Sequence, residues 1–262
     1  MRSLNRASIK IGNFNIYLYS ICILIGVISA LFLINKELEN EEIDKDKFFD
    51  MSFYTIIFGI LGARIYYVLF NLNYYFKSTI EIFEIWNGGL AIHGGIIFGL
   101  LTVIYYTKKH NMNTIKVLDI IVPSLILAQA VGRWGNFFNK EAYGPITTYL
   151  NLKNHFIPEF VINGMKIKGV YYTPTFYYES IWNLTGFAIL MLSRKKKDIK
   201  LGFQTGLYLT FYSLGRFFIE YLRTDSLMIG NIKVAMLVSI ILFITGIVII
   251  NKSKQNKNYH IK

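Results

Sequence analysis

Seven apolar blocks, separated by short polar segments, constrain this chain more than any other feature of its sequence. They fall at about 14–34, 51–70, 90–106, 115–131, 176–192, 202–221 and 234–250. A helix needs about 20 mostly apolar residues to cross a bilayer, and only helices and closed barrels satisfy their own backbone polar groups there. The blocks therefore predict an all-α integral membrane protein, a bundle of about seven transmembrane helices with an extracytoplasmic loop or head region. The fifth and sixth blocks hold several polar residues. The last is almost purely Ile, Leu, Val and Phe, which predicts a lipid-facing helix. Charged residues make up 17% of the 262, below the roughly 25% of soluble domains, which argues against one or two soluble domains. With no internal repeat, the reading is a single polytopic membrane domain, 1–262, with extracytoplasmic segments at about 71–89, 132–175 and 222–233.

The net charge of +12 would suit a nucleic-acid partner if it formed one face. It lies instead in the loops between blocks, where basic residues mark the cytoplasmic side and the anionic lipid surface, so no nucleic acid is expected. Three segments carry it: Lys108, Lys109 and Lys116; Arg194, Lys195, Lys196, Lys197 and Lys200; and Lys252, Lys254, Lys257 and Lys262. Seven spans place all three on one side, predicted cytoplasmic, with the N-terminus outside and the C-terminus inside. Arg2, Arg6 and Lys10 are the exception to that rule, and the acidic segment 37–50 carries little weight in it. The first block runs to about Ile34 with no small-residue cleavage site after it, which reads as a retained span and not as a signal peptide. Segment 71–89 mixes Tyr74, Tyr75, Phe76, Phe83 and Trp86 with polar residues, as a helix lying in the interface does. The single cysteine, Cys22, permits no internal disulfide and reads as a small buried side chain.

Polar residues within such blocks are costly and need a partner or a task. Arg64 lies mid-span, either functional or paired inside the bundle with Glu179 or Glu220. His93 stands among Gly88, Gly89, Gly94 and Gly95; it could move a proton near neutral pH or bridge helices by a hydrogen bond. The run from Gln129 to Gly144 places Arg133, Asn136, Asn139 and Glu141 among glycines and aromatics in a loop leaving the fourth span. An arginine there offers a planar fork to phosphate or carboxylate. Thr173 or Pro174 starts the next helix, with Glu179 in its first turns as a cap or an ion pair. Tyr208, Tyr212, Arg216 and Glu220 succeed one another at four-residue spacing on one stripe, with Arg223 and Asp225 just past its end. These features converge on an outer-facing site for an anionic lipid or solute. A transporter would use Arg64, Arg216 and Glu220 along a pathway, but no inverted repeat is visible. Neither an acidic metal-binding cluster nor a Gly-x-Ser-x-Gly run supports another lipid-processing enzyme.

The run Gly132-Arg133-Trp134-Gly135-Asn136-Phe137-Phe138-Asn139-Lys140-Glu141-Ala142-Tyr143-Gly144 resembles the signature of the bacterial prolipoprotein diacylglyceryl transferases. His93-Gly94-Gly95, the segment from Thr173 to Ser180 and the segment from Gly215 to Glu220 are similar to that family's other motifs, in the same order. The resemblance implies an integral enzyme of seven spans in the bacterial cytoplasmic membrane. It would transfer the diacylglyceryl group of phosphatidylglycerol to the thiol of the lipobox cysteine in a preprolipoprotein signal peptide. A thioether forms, glycerol phosphate leaves, the active face is extracytoplasmic, and no metal or organic cofactor is expected. Carried over, Arg133 binds the lipid phosphate and Arg216 stabilises it as it leaves. Asn136, Glu141 and Gly144 belong to the binding surface, with Tyr19 as a further match. His93, Tyr212 and Glu220 complete the polar cavity. His93 is the simplest base for the thiol, and Lys140 and Ala142 carry no assigned role.

Overall fold

The computed structural model describes residues 7–11, 14–39, 41, 43–195, 199–224, 226–230 and 232–255. Arg2, Arg6, Lys196, Lys197, Asp225, Lys257 and Lys262 lie outside the described residues, as do the side chains of Asn87 and Lys254. Strands β1 (Ser8–Ile11) and β2 (Phe14–Tyr17) lead into helix α1 (Leu18–Leu38) and then α2 (Lys45–Leu69). The short α3 (Leu72–Tyr75) and two 3-10 turns, Thr79–Phe83 and Ile85–Asn87, precede α4 (Ile92–Lys109) and α5 (Thr114–Asn139). Next come β3 (Ile146–Thr147), α6 (Tyr149–Asn154), α7 (Glu159–Gly164), β4 (Lys166–Ile167) and β5 (Val170–Tyr172). The chain finishes with α8 (Thr175–Arg194), α9 (Phe203–Leu222), β6 (Met228–Ile229), β7 (Ile232–Lys233) and α10 (Val234–Gln255). Among the described residues four helices are long and apolar enough to cross a membrane: Leu18–Leu38, Lys45–Leu69, Thr114–Asn139 and Val234–Ser253. Helices α4, α8 and α9 cover the other three apolar blocks.

Three local expectations change. The first block opens as a strand, because Ser8–Ile11 and Phe14–Tyr17 alternate polar and apolar residues with the two-residue period of a hairpin; Ser8 pairs with Tyr17 and Ile11 with Phe14. Segment 71–89 is not one helix: Ser78 and Glu84 leave helical geometry, and Gly88 and Gly89 take φ of 90° and 72°, open to glycine at little cost. The fourth long helix runs to Asn139, so Arg133 and Asn136 stand on a helix and not in a loop. Gly132 and Gly135 lie within it, and Gly135 is required there: a Cβ would sit 2.5 Å from Cδ2 of Tyr19.

The chain divides into two compact units, Met1–Asn40 with Leu118–Lys262, and Glu41–Val117. In the first, α9 and α10 approach backbone to backbone, since a Cβ on Gly206 would lie 2.9 Å from the Gly246 carbonyl oxygen; small residues are what permit such contact between membrane helices. Pro123 interrupts α5 and cannot donate to the Asp119 carbonyl one turn back. Arg194 of α8 fills that gap, donating to the carbonyls of Asp119 at 2.5 Å and Ile120 at 3.2 Å while pairing with Glu37 of α1 at 3.0 Å. The Asp119 carboxylate, 1% exposed, accepts from the Gly202 and Thr205 amides and from the Thr205 hydroxyl at 2.6–2.8 Å. It thus caps the N-terminus of α9 from another helix. Asp119→Ala leaves three buried donors without an acceptor and should cost about 2–3 kcal/mol, read as a lower midpoint of thermal unfolding in detergent; an unchanged midpoint would remove the cap from the account.

In the second unit, α2 and α4 cross on glycine. A Cβ on Gly62 would enter the Phe98 ring, and one on Gly94 would meet the Gly62 backbone. Arg64 is buried, and among the described residues it has no carboxylate partner. Its guanidinium donates to the carbonyls of Ile82 at 2.9 Å, Gly88 at 2.7 Å and Gly89 at 2.9 Å, and to that of Glu81. Its charge therefore gathers carbonyls from the Thr79–Phe83 turn and the Gly88–Gly89 bend before α4, in place of the ion pair that was one of its two readings.

Candidate active site

The stripe expected on α9 forms. The Tyr208 and Tyr212 rings stack at 5.7 Å and 19°, the Tyr208 hydroxyl accepts from Gln129 of α5 at 2.9 Å, and Arg216 Nη2 pairs with Glu220 Oε2 at 2.6 Å. Arg223, one turn on, lies 3.9 Å from the same carboxylate. Lys233 closes the end of α9, its ammonium donating to the carbonyls of Glu220, Tyr221 and Arg223 at 2.8, 3.1 and 2.6 Å. A cation is favoured at that negative end of the helix dipole.

Glu179 brings the arginines together. It enters on the second turn of α8 and its side chain is 6% exposed. Oε2 pairs with Nε of Arg133 at 2.8 Å, and Oε1 holds Nη1 of Arg216. One carboxylate thus links arginines from α5 and α9, and a small cleft opens beside them, bordered by Trp182, Asn183, Tyr212 and Ile219. Trp182 donates to the Phe211 carbonyl at 2.9 Å and covers Gly215, where any Cβ would strike the indole. Glu179 and Glu220 together face Arg133 and Arg216. Buried charges need partners or pay several kcal/mol each, and these carboxylates supply them. Arg133 uses only Nε for Glu179. Among the described residues its Nη1 and Nη2 carry no hydrogen bond, and its side chain is 22% exposed. That is an open guanidinium edge of the kind that grips a phosphate.

The signature segment frames this edge. Asn136 is buried, and its carbonyl accepts from the Glu141 amide at 3.1 Å. Asn139 donates to the Glu141 carboxylate at 3.3 Å. The Gly144 amide donates to the Thr173 carbonyl at 2.9 Å, and a Cβ there would crowd Thr173, Thr175 and the Leu222 carbonyl at 3.0–3.2 Å. Thr175 also donates to the Ala142 carbonyl and Thr224 to that of Tyr143 at 3.1 Å, so the segment is fastened to the start of α8 and the end of α9. Tyr19 of α1 lies against Gly135. Of the residues expected to act together, the first unit gathers Tyr19, Arg133, Asn136, Glu141, Gly144, Tyr212, Arg216 and Glu220. His93 belongs to the second unit, exposed on the first turn of α4 with its ring 6.1 Å from that of Tyr66.

Of the two readings open for Glu179, a cap or an ion pair, the structure gives the ion pair, and a double one that makes it the joint of the cluster; the one signal for it in the sequence is an acid early in an apolar helix. Lys140 and Ala142, given no role, both hold left-handed backbone with φ of 54° and 56°, uncommon for residues bearing a Cβ. Lys140 donates its ammonium to the Gly164 carbonyl, and burial pushes its pKa below the usual lysine value.

The family model for prolipoprotein diacylglyceryl transferase matches residues 6–251. The chain belongs to that family. Its curated relatives include a protein of Staphylococcus haemolyticus (strain JCSC1435) named phosphatidylglycerol--prolipoprotein diacylglyceryl transferase, 49% identical over 92% of this chain and 85% of that protein. Proteins with the same name in Staphylococcus carnosus (strain TM300) and Staphylococcus aureus (strain Newman) are 48% and 46% identical. Each aligns over 92% of this chain, and over 87% and 86% of its own length. Within the family frame, the run from Gly132 to Gly144 comprises the last turns of α5 and the bend after it, with its arginine on the helix.

Proposed function

We propose that this chain transfers the diacylglyceryl group of phosphatidylglycerol to the thiol of the lipobox cysteine of preprolipoproteins, at the extracytoplasmic face of a bacterial cytoplasmic membrane. One observation carries the reading beyond family membership: two arginines on different helices share one buried carboxylate, and one of them keeps its terminal nitrogens open. In this reading α1, α2, α4, α5, α8, α9 and α10 all span the bilayer as one membrane domain. The N-terminus is outside, the C-terminus is inside, and the segments near 71–89, 132–175 and 222–233 are extracytoplasmic; the lysines at the end of α4 and the start of α5, and the basic residues from Arg194 to Lys200, support that orientation.

The nucleophile comes with the substrate. The thiol sulfur attacks the glyceryl carbon that carries the phosphate ester. A C–S bond forms as the C–O bond breaks, and the electron pair leaves on the phosphate oxygen as glycerol phosphate. A thiol of pKa about 8.5 is largely protonated at neutral pH, so a base must take its proton, and His93 is the simplest candidate. Arg133 grips the phosphate through Nη1 and Nη2. Arg216 faces the charge that develops on the leaving group, and donors already in place where charge develops lower the barrier most. Glu179 and Glu220 keep both guanidinium groups oriented before the lipid arrives. Tyr212 and Tyr19 border the lipid site with Asn136, Glu141 and Gly144.

The test is transfer by purified protein in detergent, with phosphatidylglycerol, a lipobox peptide and detection of glycerol phosphate. Arg133→Ala and Arg216→Ala should each lose about 100-fold or more in kcat/KM while unfolding cooperatively. Arg133→Lys should recover little, because a point charge does not replace the fork. Absence of thiol-dependent release, where a relative of the family is active, would overturn the reading.

A further inference from the structure

Residues 140–174 join the end of α5 to the start of α8 and carry the α6–α7 hairpin. Its inner face is occupied: Leu152, Ile157, Val161, Ile162 and Met165 are buried together with Phe176. Its outer face presents apolar side chains outward. Leu150, Phe156 and Phe160 are 68, 93 and 59% exposed, and Phe156 is the most exposed large hydrophobic side chain among the described residues. Phe156 also has φ of 56°, a conformation that disfavours any residue with a Cβ. A turn facing water would be easier with Gly or Asn. Strain of this kind persists where the surroundings hold or use it.

The charges nearby point to what the face meets. Lys153, Lys166 and Lys168 are exposed. The ammonium of Lys153 lies 5.9 Å from the centre of the Tyr149 ring and that of Lys166 lies 5.4 Å from the centre of Tyr171. The exposed acid of the segment, Glu159, accepts from the Tyr149 hydroxyl at 3.1 Å. Exposed aromatic and aliphatic tips beside lysines resting on tyrosines are the composition of a surface lying on anionic lipid. The tether agrees: α5, apolar enough to cross a membrane, ends at Asn139, directly before the segment.

We propose that the α6–α7 hairpin is a membrane-surface foot. Phe156, with Leu150 and Phe160, enters the interfacial layer of the leaflet where α5 ends, and Lys153, Lys166 and Lys168 sit among anionic headgroups. The foot reaches the candidate site through Phe160, whose ring stacks on Trp134, the neighbour of Arg133, at 6.1 Å and 15°. It gathers anionic lipid beside the arginine that grips phosphate. This goes beyond the transfer reading and needs no turnover to be seen.

The test uses full-length protein in which Cys22, the single cysteine, is replaced by Ala and Phe156→Cys carries an environment-sensitive fluorophore. The protein is placed in phosphatidylcholine nanodiscs with or without phosphatidylglycerol and with lipid spin-labelled near the headgroup. Blue-shifted emission and its loss to the spin label, both greater with phosphatidylglycerol, are expected. Replacing Lys153, Lys166 and Lys168 by Gln should abolish the dependence on phosphatidylglycerol. Solvent-like, unquenched emission in both discs overturns the proposal. So does emission that shifts only when a lipobox signal peptide is added, which would assign the face to the peptide. Loss of transfer activity alone would bear on the proposed reaction and leave these signals unchanged.

Discussion

Glu179→Leu is expected to destabilise the protein by about 3–5 kcal/mol, the cost of breaking a buried pair by removing one partner, and to abolish transfer with it. The carboxylate is 6% exposed and holds Arg133 at 2.8 Å through one oxygen and Arg216 through the other. Its loss leaves Arg133 without the carboxylate it holds and Arg216 with Glu220 alone of its two, in surroundings where an unpaired charge is least tolerated. Glu179→Gln separates charge from shape. The amide oxygen still accepts from one arginine, so the fold should survive with a lower midpoint, while the arginines repel each other and lose their shared orientation. The measurements are the thermal unfolding midpoint in detergent and, for Gln, kcat/KM beside that midpoint. If Leu left the midpoint unchanged, the two arginines would have other partners and Glu179 would not join them. If Gln kept full activity, holding the arginines would be a matter of shape and not of charge.

The second large effect separates two adjacent glycines. Gly94→Ala should cost about 2–3 kcal/mol, near the upper end for overpacking, whereas Gly95→Ala should be neutral or slightly stabilising. A Cβ on Gly94 would lie 2.9 Å from the Gly62 carbonyl carbon, and backbone cannot rotate away as a side chain does. A Cβ on Gly95 would lie 3.5 Å from the Gly59 carbonyl oxygen and 3.6 Å from Ala63 Cβ, ordinary contact. Alanine there also gains helix propensity, roughly 1 kcal/mol over glycine. Parallel unfolding of the two variants decides the matter. Equal effects would mean that α2 and α4 do not cross with Gly94 against Gly62.

Much was legible in the chain because the bilayer imposes coarse rules. Length and hydropathy located the long helices among the described residues, four of them apolar enough to cross a membrane, and four-residue spacing put Tyr212, Arg216 and Glu220 on one stripe, since both follow from helix geometry alone. The motifs singled out Arg133 and Arg216, and the structure joins both to Glu179. Where local rules compete, the reading slipped. Glycines at 132 and 135 suggested a loop after α5, but a glycine within a helix is affordable when a ring such as Tyr19 packs on it. An aromatic–polar segment suggested an interfacial helix at 71–89, but Ser78 and Glu84 break it.

Sequence alone therefore determined the class of protein, its long apolar helices and the stripe on α9, because these depend on neighbours within a few positions. Only the tertiary structure decided that Glu179 joins Arg133 to Arg216, that Asp119 caps α9 from another helix, and that Arg64 gathers carbonyls instead of pairing with an acid. Each is a meeting of groups far apart in the chain; Glu179 and Arg216 are 37 residues apart. Which buried charge finds which partner depends on how the helices pack, and no periodicity along a single helix encodes that.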